Sequence, residues 1–306
     1  MLTFQQSSQL VISMRFSTSA TTPSTWTRFS NAYLARQQPA KPRHTIAALS
    51  IYSREQIIPG SFFMRKAFDG SHRRRIHLFR HGDVSYVDDK GNRVADSRTV
   101  PLTDWGREQA ADMRTFMKDI PVDRVICSGL PRTVETADGV FGNRDLKIEI
   151  APAFEEIKSD PNRYKALTDL ADVAYAFSNA HEPGATYGNG EKFSDFETRV
   201  VEGLEKLIAD PNWKSLALIA HGGVNRALLG WLTGASLKAF ATFEQNTACV
   251  NIIDIDTHPD TGDHHRTLLR GVNITAYDPA KRDVHLTALE MIAERISKKA
   301  GTKPRP

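Results

Sequence analysis

Two histidines and two arginines sit where the chain leaves an apolar run. Arg80 and His81 follow Ile76 to Phe79, Arg132 lies just past Val125 to Cys127, and His221 follows Ser215 to Ala220. Together these residue types suit a tetrahedral dianion. Arginine presents a planar fork of donors that matches phosphate oxygens and stays charged at any working pH. A neutral imidazole nitrogen is a competent nucleophile toward phosphorus, and a covalent intermediate divides one hard transfer into two easier ones. Phosphoryl transfer otherwise asks for positioning and charge neutralisation, which arginines and a protonated histidine supply without Mg²⁺. Singly, each residue has an ordinary reading: Arg80-His81-Gly82 as turn chemistry, His221 as a strand-end histidine, Arg132 as a solvated helix residue, Glu156 as a surface acid beside Glu155. Their joint occurrence is what carries the chemistry.

Residues 81 and 221 are 140 positions apart, so a fold must bring them together. From residue 76 short apolar runs alternate with amphipathic stretches, which predicts an α/β domain of three layers, a mostly parallel central sheet flanked by helices. Ile76–Phe79, Val125–Cys127 and Ser215–Ala220 are the expected buried strands, with further strands near Val250–Ile255 and Thr267–Ile274. Thr103 can cap a helix reaching about Lys118, with Asp104 well placed for the helix dipole, and Pro131 suits the first turn of the next helix. Helices are also expected over Arg163–Ala180, Phe193–Ala209, through Ala227, Leu228 and Trp231, and from about His285 to Lys298. In open α/β sheets functional groups gather at the carboxyl ends of strands. Three such ends carry Arg80-His81, Ser128 with Arg132, and His221-Gly222.

The chain of 306 residues has net charge +4, but the charge is uneven. Residues 1–54 hold six basic residues (Arg15, Arg28, Arg36, Lys41, Arg43, Arg54) and no acid, so the remainder stands at −2. A basic total of this origin does not point to a nucleic-acid partner. Rich in Ser, Thr, Gln and Ala and without sustained periodicity, residues 1–63 are expected to be a transit-like segment or a disordered extension, with Met64 a candidate later start. Residues 64–300 are expected to be the folded domain and 301–306 a polar tail. Two cysteines, Cys127 and Cys249, provide no disulfide framework and fit a reducing compartment. No apolar run approaches a membrane span. The expected location is cytoplasmic, or organellar if the front segment is a transit peptide, and no feature specifies an oligomeric state.

The segment Leu78-Phe79-Arg80-His81-Gly82 resembles the signature of the histidine phosphatase (phosphoglycerate mutase-like) superfamily, branch 1 type. Further blocks are similar in the same order: Pro101-Leu102-Thr103 with Gly106 and Gln109-Ala110; Ser128 to Thr133 with Thr136-Ala137; Phe154-Glu155-Glu156-Ile157; and Ala220-His221-Gly222-Gly223-Val224 with Arg226. The resemblance covers roughly residues 74–275. It implies that His81 becomes phosphohistidine, that Arg80, Arg132 and His221 grip the phosphoryl oxygens with help from the Gly222 backbone N–H, and that Glu156 is the proton donor and later the base. Glu156 is preferred to Glu155 because the family's acid falls two positions after the apolar residue, here Phe154. The implied activity is phosphomonoester hydrolysis on a small-molecule phosphate ester, with no metal and no cofactor.

Departures from the family pattern matter. Asp83, Val84 and Val87 stand where an acidic residue, Ser or Thr, and Asn are usual, with Ser85 a possible substitute, and Lys158 to Tyr164 replace the usual glycine-rich segment after the acid. The residues with which mutases hold a second phosphate are not found, which favours hydrolysis. A cofactor-dependent phosphoglycerate mutase and a non-catalytic phosphate-binding module remain the alternatives. His258, Asp260, Asp263, His264 and His265 are metal-capable, but with Pro259, Thr261 and Gly262 they read as a polar hairpin loop.

Overall fold

The computed structural model describes residues 65–67, 69–86, 94, 96–160, 170–277 and 285–300. The expectations for residues 1–63, Met64, Val87 and 301–306 lie outside these. A seven-stranded sheet runs through the described part. Its strands are β1 (Arg65–Lys66), β2 (His72–Arg80), β3 (Arg124–Cys127), β4 (Ile148–Ile150), β5 (Ser215–Ala220), β6 (Val250–Thr257) and β7 (His264–Ile274). Their order is β4-β3-β5-β2-β6-β7, with β1 beside β2. The pairs β4-β3, β3-β5 and β5-β2 are parallel, whereas β6 is antiparallel to both β2 and β7. Only β1 and β6 therefore oppose the common direction, and the sheet is mostly parallel.

Alternation along the central strands builds the two cores. On β2 and β5 the side chains of Ile76, Leu78, Leu216 and Leu218 belong to one buried cluster, and Phe79, Ala217 and Ile219 to another. The first is covered by α4 (Phe193–Ala209) and α5 (Gly222–Leu232) through Phe196, Val200, Leu204, Val224 and Leu228. The second is covered by α1 (Asp104–Met117) and α2 (Pro131–Phe141) through Met113, Met117, Ala137, Val140 and Phe141. The remaining α-helices among the described residues are α3 (Ala171–Ala174) and α6 (Ala288–Ala300). None of the described helices is long and apolar enough to cross a membrane. Both cysteines are buried and unpaired.

Several boundaries differ from expectation for physical reasons. Strand β2 begins at His72 rather than Ile76, because Arg73 and Arg75 are neutralised on the neighbouring strand by Asp256 and Asp254, each at 2.7 Å. Arg74 points the other way, stacks over Trp213 and donates to the carbonyls of Ile208 and Asp210, satisfying the end of α4. The helix expected over Arg163–Ala180 is helical only at Ala171–Ala174 among the described residues; turns follow, and Phe177 packs on Phe193 and Phe240 instead. Strand β4 was not anticipated: it is a three-residue edge strand whose Ile150 is largely exposed, so it lacks a buried pattern. Of the acidic and histidine-rich stretch, His258, Asp260 and Asp263 lie in the loop between the antiparallel β6 and β7, whereas His264 and His265 belong to β7.

Candidate active site

The register of the two central strands brings the histidines together. Arg80 pairs with Ala220 across parallel β2 and β5, so the next residue on each strand, His81 and His221, emerges at the same end of the sheet. Their rings lie 5.2 Å apart between centroids. Ser128 leaves β3 at the same edge, with its N–H on the Ile219 carbonyl at 3.2 Å, and Arg132 follows in the first turn of α2. Arg80, His81, Arg132, Glu156 and Gly222 line one cavity of about 280 Å³. All six residues singled out in the sequence are thus gathered, with His221 fully buried against the His81 ring.

Close backbone approach holds the His81 loop. A Cβ on Gly82 would fall 2.5 Å from the Gly106 carbonyl oxygen, and one on Gly106 would fall 2.3 Å from that of Asp83. Thr103 Oγ1 caps α1 by accepting from Gly106 N–H at 3.0 Å and donates to Asp83 Oδ2 at 3.0 Å. The loop N–H groups are taken by side chains: Gly82 donates to Thr136 Oγ1 at 3.0 Å and Asp83 to Gln109 Oε1 at 2.8 Å.

Hydrogen bonds also set where the imidazole protons sit. His81 Nδ1 lies 2.7 Å from the Gly82 carbonyl oxygen, which can only accept, so Nδ1 carries the proton and Nε2 the lone pair. For His221 the direction follows along a chain. Thr133 Oγ1 gives its proton to the Leu130 carbonyl at 2.8 Å, so it accepts from Ser128 Oγ at 2.9 Å. Ser128 Oγ then accepts from His221 Nε2 at 2.8 Å, which leaves the neutral His221 lone pair on Nδ1. Ser128 was visible in the sequence as a strand-end residue, but its orienting contact depends on a partner 93 positions away.

Burial, then the positive charges of Arg132 and Arg80, hold the His81 pKa well below 6.5; His221 is lowered by burial, then by Arg132, His81 and the other arginines. His77, outside the site on β2, is pushed down to about 4 by burial and by Arg75. These three rings stay neutral in the folded protein while the unfolded chain takes up protons below about pH 6.5. Stability is therefore complete above that pH and falls as the pH drops, by up to about 1.4 kcal/mol per pH unit for each imidazole. Urea unfolding at pH 7.5, 6.5 and 5.5 should show a midpoint that declines mainly between the last two; an unchanged midpoint would mean that the rings take up protons in the fold as readily as in the unfolded chain.

The two neighbouring acids have different surroundings. Glu155 pairs with Arg98 at 2.8 Å. Glu156 instead reaches the start of α5, where Oε2 accepts from the Gly223 N–H at 3.0 Å while Oε1 accepts from Ile157 N–H at 3.0 Å. A Cβ on Gly223 would come 2.3 Å from Glu156 Oε1, so any side chain there would displace the carboxylate. Arg80 donates Nη1 to the Gln245 carbonyl at 2.5 Å, and Arg132 donates Nη1 to the Ser97 carbonyl at 3.0 Å. Arg98 and Gln245 carried no sequence signal. Three buried nitrogens around the rings have no hydrogen-bond partner: Arg80 Nε, Arg132 Nε and His221 Nδ1. An α/β sheet with two imidazoles, two guanidiniums and a carboxylate at its carboxyl edge has the donors and charges that a phosphoryl group calls for.

The sequence profile of the histidine phosphatase superfamily (branch 1) matches residues 76–264, more than half of the chain, and the chain belongs to that superfamily. Over 186 residues it is 29% identical to the adenosylcobalamin/alpha-ribazole phosphatase of Escherichia coli (strain K12), covering 60% of this chain and 90% of that protein. A broad-specificity phosphatase of Saccharomyces cerevisiae is 27% identical over 187 residues, covering 59% and 79%. The crystal structure of the alpha-ribazole phosphatase from Shigella flexneri superposes with a TM-score of 0.52 at 26% identity, covering 65% of this chain and 96% of that one. The protein is a phosphatase, an enzyme that hydrolyses phosphoric monoesters.

Proposed function

We propose that this phosphatase works without a metal ion, through a phosphohistidine at His81, on a small-molecule monoester, with residues 64–300 as the catalytic unit. The observation that carries the reading is the set of unpartnered buried nitrogens, Arg80 Nε, Arg132 Nε and His221 Nδ1, beside a neutral His81. Buried polar groups left unpaired cost free energy, and phosphoryl oxygens would accept from the two arginine N–H groups and, once it is protonated, from His221 Nδ1. In the first step His81 Nε2 attacks phosphorus, the ester P–O bond breaks, and the leaving oxygen takes a proton from Glu156. In the second a water attacks phosphorus, gives its proton to Glu156 and displaces Nε2, releasing inorganic phosphate. The dianion favours protonation of His221, whose Nδ1–H then becomes a further donor to the phosphoryl group, while the Gly222 N–H lies at the head of α5 where anions are favoured.

Mutase chemistry would have to hold a second anionic group. Beyond the floor of the cavity, Arg98, Arg226 and Arg295 are each paired with a carboxylate, those of Glu155, Glu244 and Asp83. That pairing supports hydrolysis. The relatives differ in the substrates their names print, so no single ester is carried over. The test is rapid quenching with ³²P-labelled phenyl phosphate in EDTA. Protein-bound label that survives alkali, is lost in acid and maps to His81 is expected. Turnover that vanishes in EDTA and returns with Mg²⁺, or label on another residue, would overturn the proposal.

A further inference from the structure

The family match ends at residue 264, and α6 lies beyond it. This helix forms a wall of the active-site cavity, to which it contributes Leu289, Ile292, Arg295 and Ile296. Positions 289, 292 and 296 recur at helical spacing on one face, and all three remain only half-buried, turned toward the space above His81. The rest of the lining is mixed, with Val84, Tyr86 and Ile157 beside Ser85, Asp96, Lys158 and Asp160.

The helix is fixed there from both ends. At its start Thr287 and Glu290 form a reciprocal cap, the Thr287 N–H donating to Glu290 Oε2 at 2.7 Å and the Glu290 N–H to Thr287 Oγ1 at 3.2 Å. Ala288 N–H donates to Glu244 Oε1 at 3.0 Å, and Glu244 is itself held by Arg226 at 2.7 Å. Farther along, Arg295 pairs with Asp83 at 3.2 Å, two residues after His81. The pairing also matters for recognition, because it consumes the charge that α6 brings to the cavity.

The cavity therefore has a cationic floor, an apolar face on the α6 side whose one arginine is paired, and a mixed wall elsewhere. Its volume of about 280 Å³ sits at the small end of ligand pockets, about 300–1,000 Å³. We infer that α6 makes this enzyme selective for monophosphate esters of small, neutral, apolar alcohols or phenols, with Leu289, Ile292 and Ile296 as specificity-determining contacts. The inference rests on the phosphatase reading above and adds the substrate class. A polyol leaving group would face these side chains with unpaired hydroxyls, whereas an alkyl or aryl group would bury against them.

Butyl phosphate and glycerol 1-phosphate separate recognition from reactivity, since both release a primary alkoxide. For the full-length wild type, kcat/KM should favour butyl phosphate by about tenfold or more, the scale of discrimination by apolar pocket contacts. Ile292→Asn should collapse that preference, through a higher KM for butyl phosphate and a lower KM for glycerol 1-phosphate, whose hydroxyls the amide can pair. Ile292→Ala keeps helix propensity and should move the ratio the same way by less, so a misfolded Asn variant does not remove the test. Equal kcat/KM for the two esters in the wild type, or a ratio unmoved in folded Ile292→Ala, would overturn the inference while leaving the phosphatase reading intact. Failure of the wild type to release phosphate from either ester would instead remove that reading, and this one with it.

Discussion

His81→Ala will lose phosphate release by roughly 10⁴- to 10⁶-fold, the scale on which another covalent hydrolase responds to removal of its nucleophile. No other group can replace Nε2. The second imidazole is 5.2 Å away between centroids, with its Nε2 committed to Ser128. The Glu156 carboxylate is held by the Gly223 and Ile157 N–H groups. The fold should survive, because the main chain of His81 makes its bonds without the ring: its N–H donates to Ala220 at 3.1 Å and its carbonyl accepts from Ala248 at 3.0 Å. Melting should shift by only a few degrees, and the acid-induced loss of stability should become shallower, because one of the rings that exclude protons is gone. Phosphate release on butyl phosphate, followed beside thermal melting, checks both halves. A folded variant with parental turnover would end the covalent mechanism.

Why so much of this site could be read from the chain is a matter of range. Helix α4 begins and ends where the periodic apolar positions do, Phe193 to Ala209, and Pro131 starts α2, because caps and amphipathic faces are local properties. The meeting of His81 and His221 needed only one non-local fact, that β2 and β5 are neighbours in register. What escaped the sequence depends on partners far along the chain. The extra length of β2 rests on acids about 180 positions away, in Asp254 and Asp256. Glu155 and Glu156 look alike until Arg98 claims one and the Gly223 N–H the other, 57 and 67 positions distant. The roof formed by α6 was readable as an amphipathic helix, but its periodicity does not say which surface its apolar face would cover.

That division between the two acids makes the second large effect. Glu156→Gln keeps an oxygen that can accept from Gly223 N–H and is nearly isosteric, so what it removes is the titrating proton. On butyl phosphate, whose alkoxide cannot leave unprotonated, turnover should fall about 10²- to 10⁴-fold. On p-nitrophenyl phosphate the leaving group needs no proton, and formation of phosphohistidine should be nearly unimpaired. The same residue is needed to activate water in the second step, however. Glu156→Gln should therefore release one equivalent of nitrophenol per site in a fast burst and then almost stop, with the phosphoenzyme accumulating. Glu155→Gln loses only its ion pair with the partly exposed Arg98, worth about 0–1 kcal/mol, and should show neither the ester-dependent loss nor the burst. If the burst instead follows from Glu155→Gln, the proton donor is the neighbouring acid, and the contact with Gly223 N–H serves only to close the start of α5.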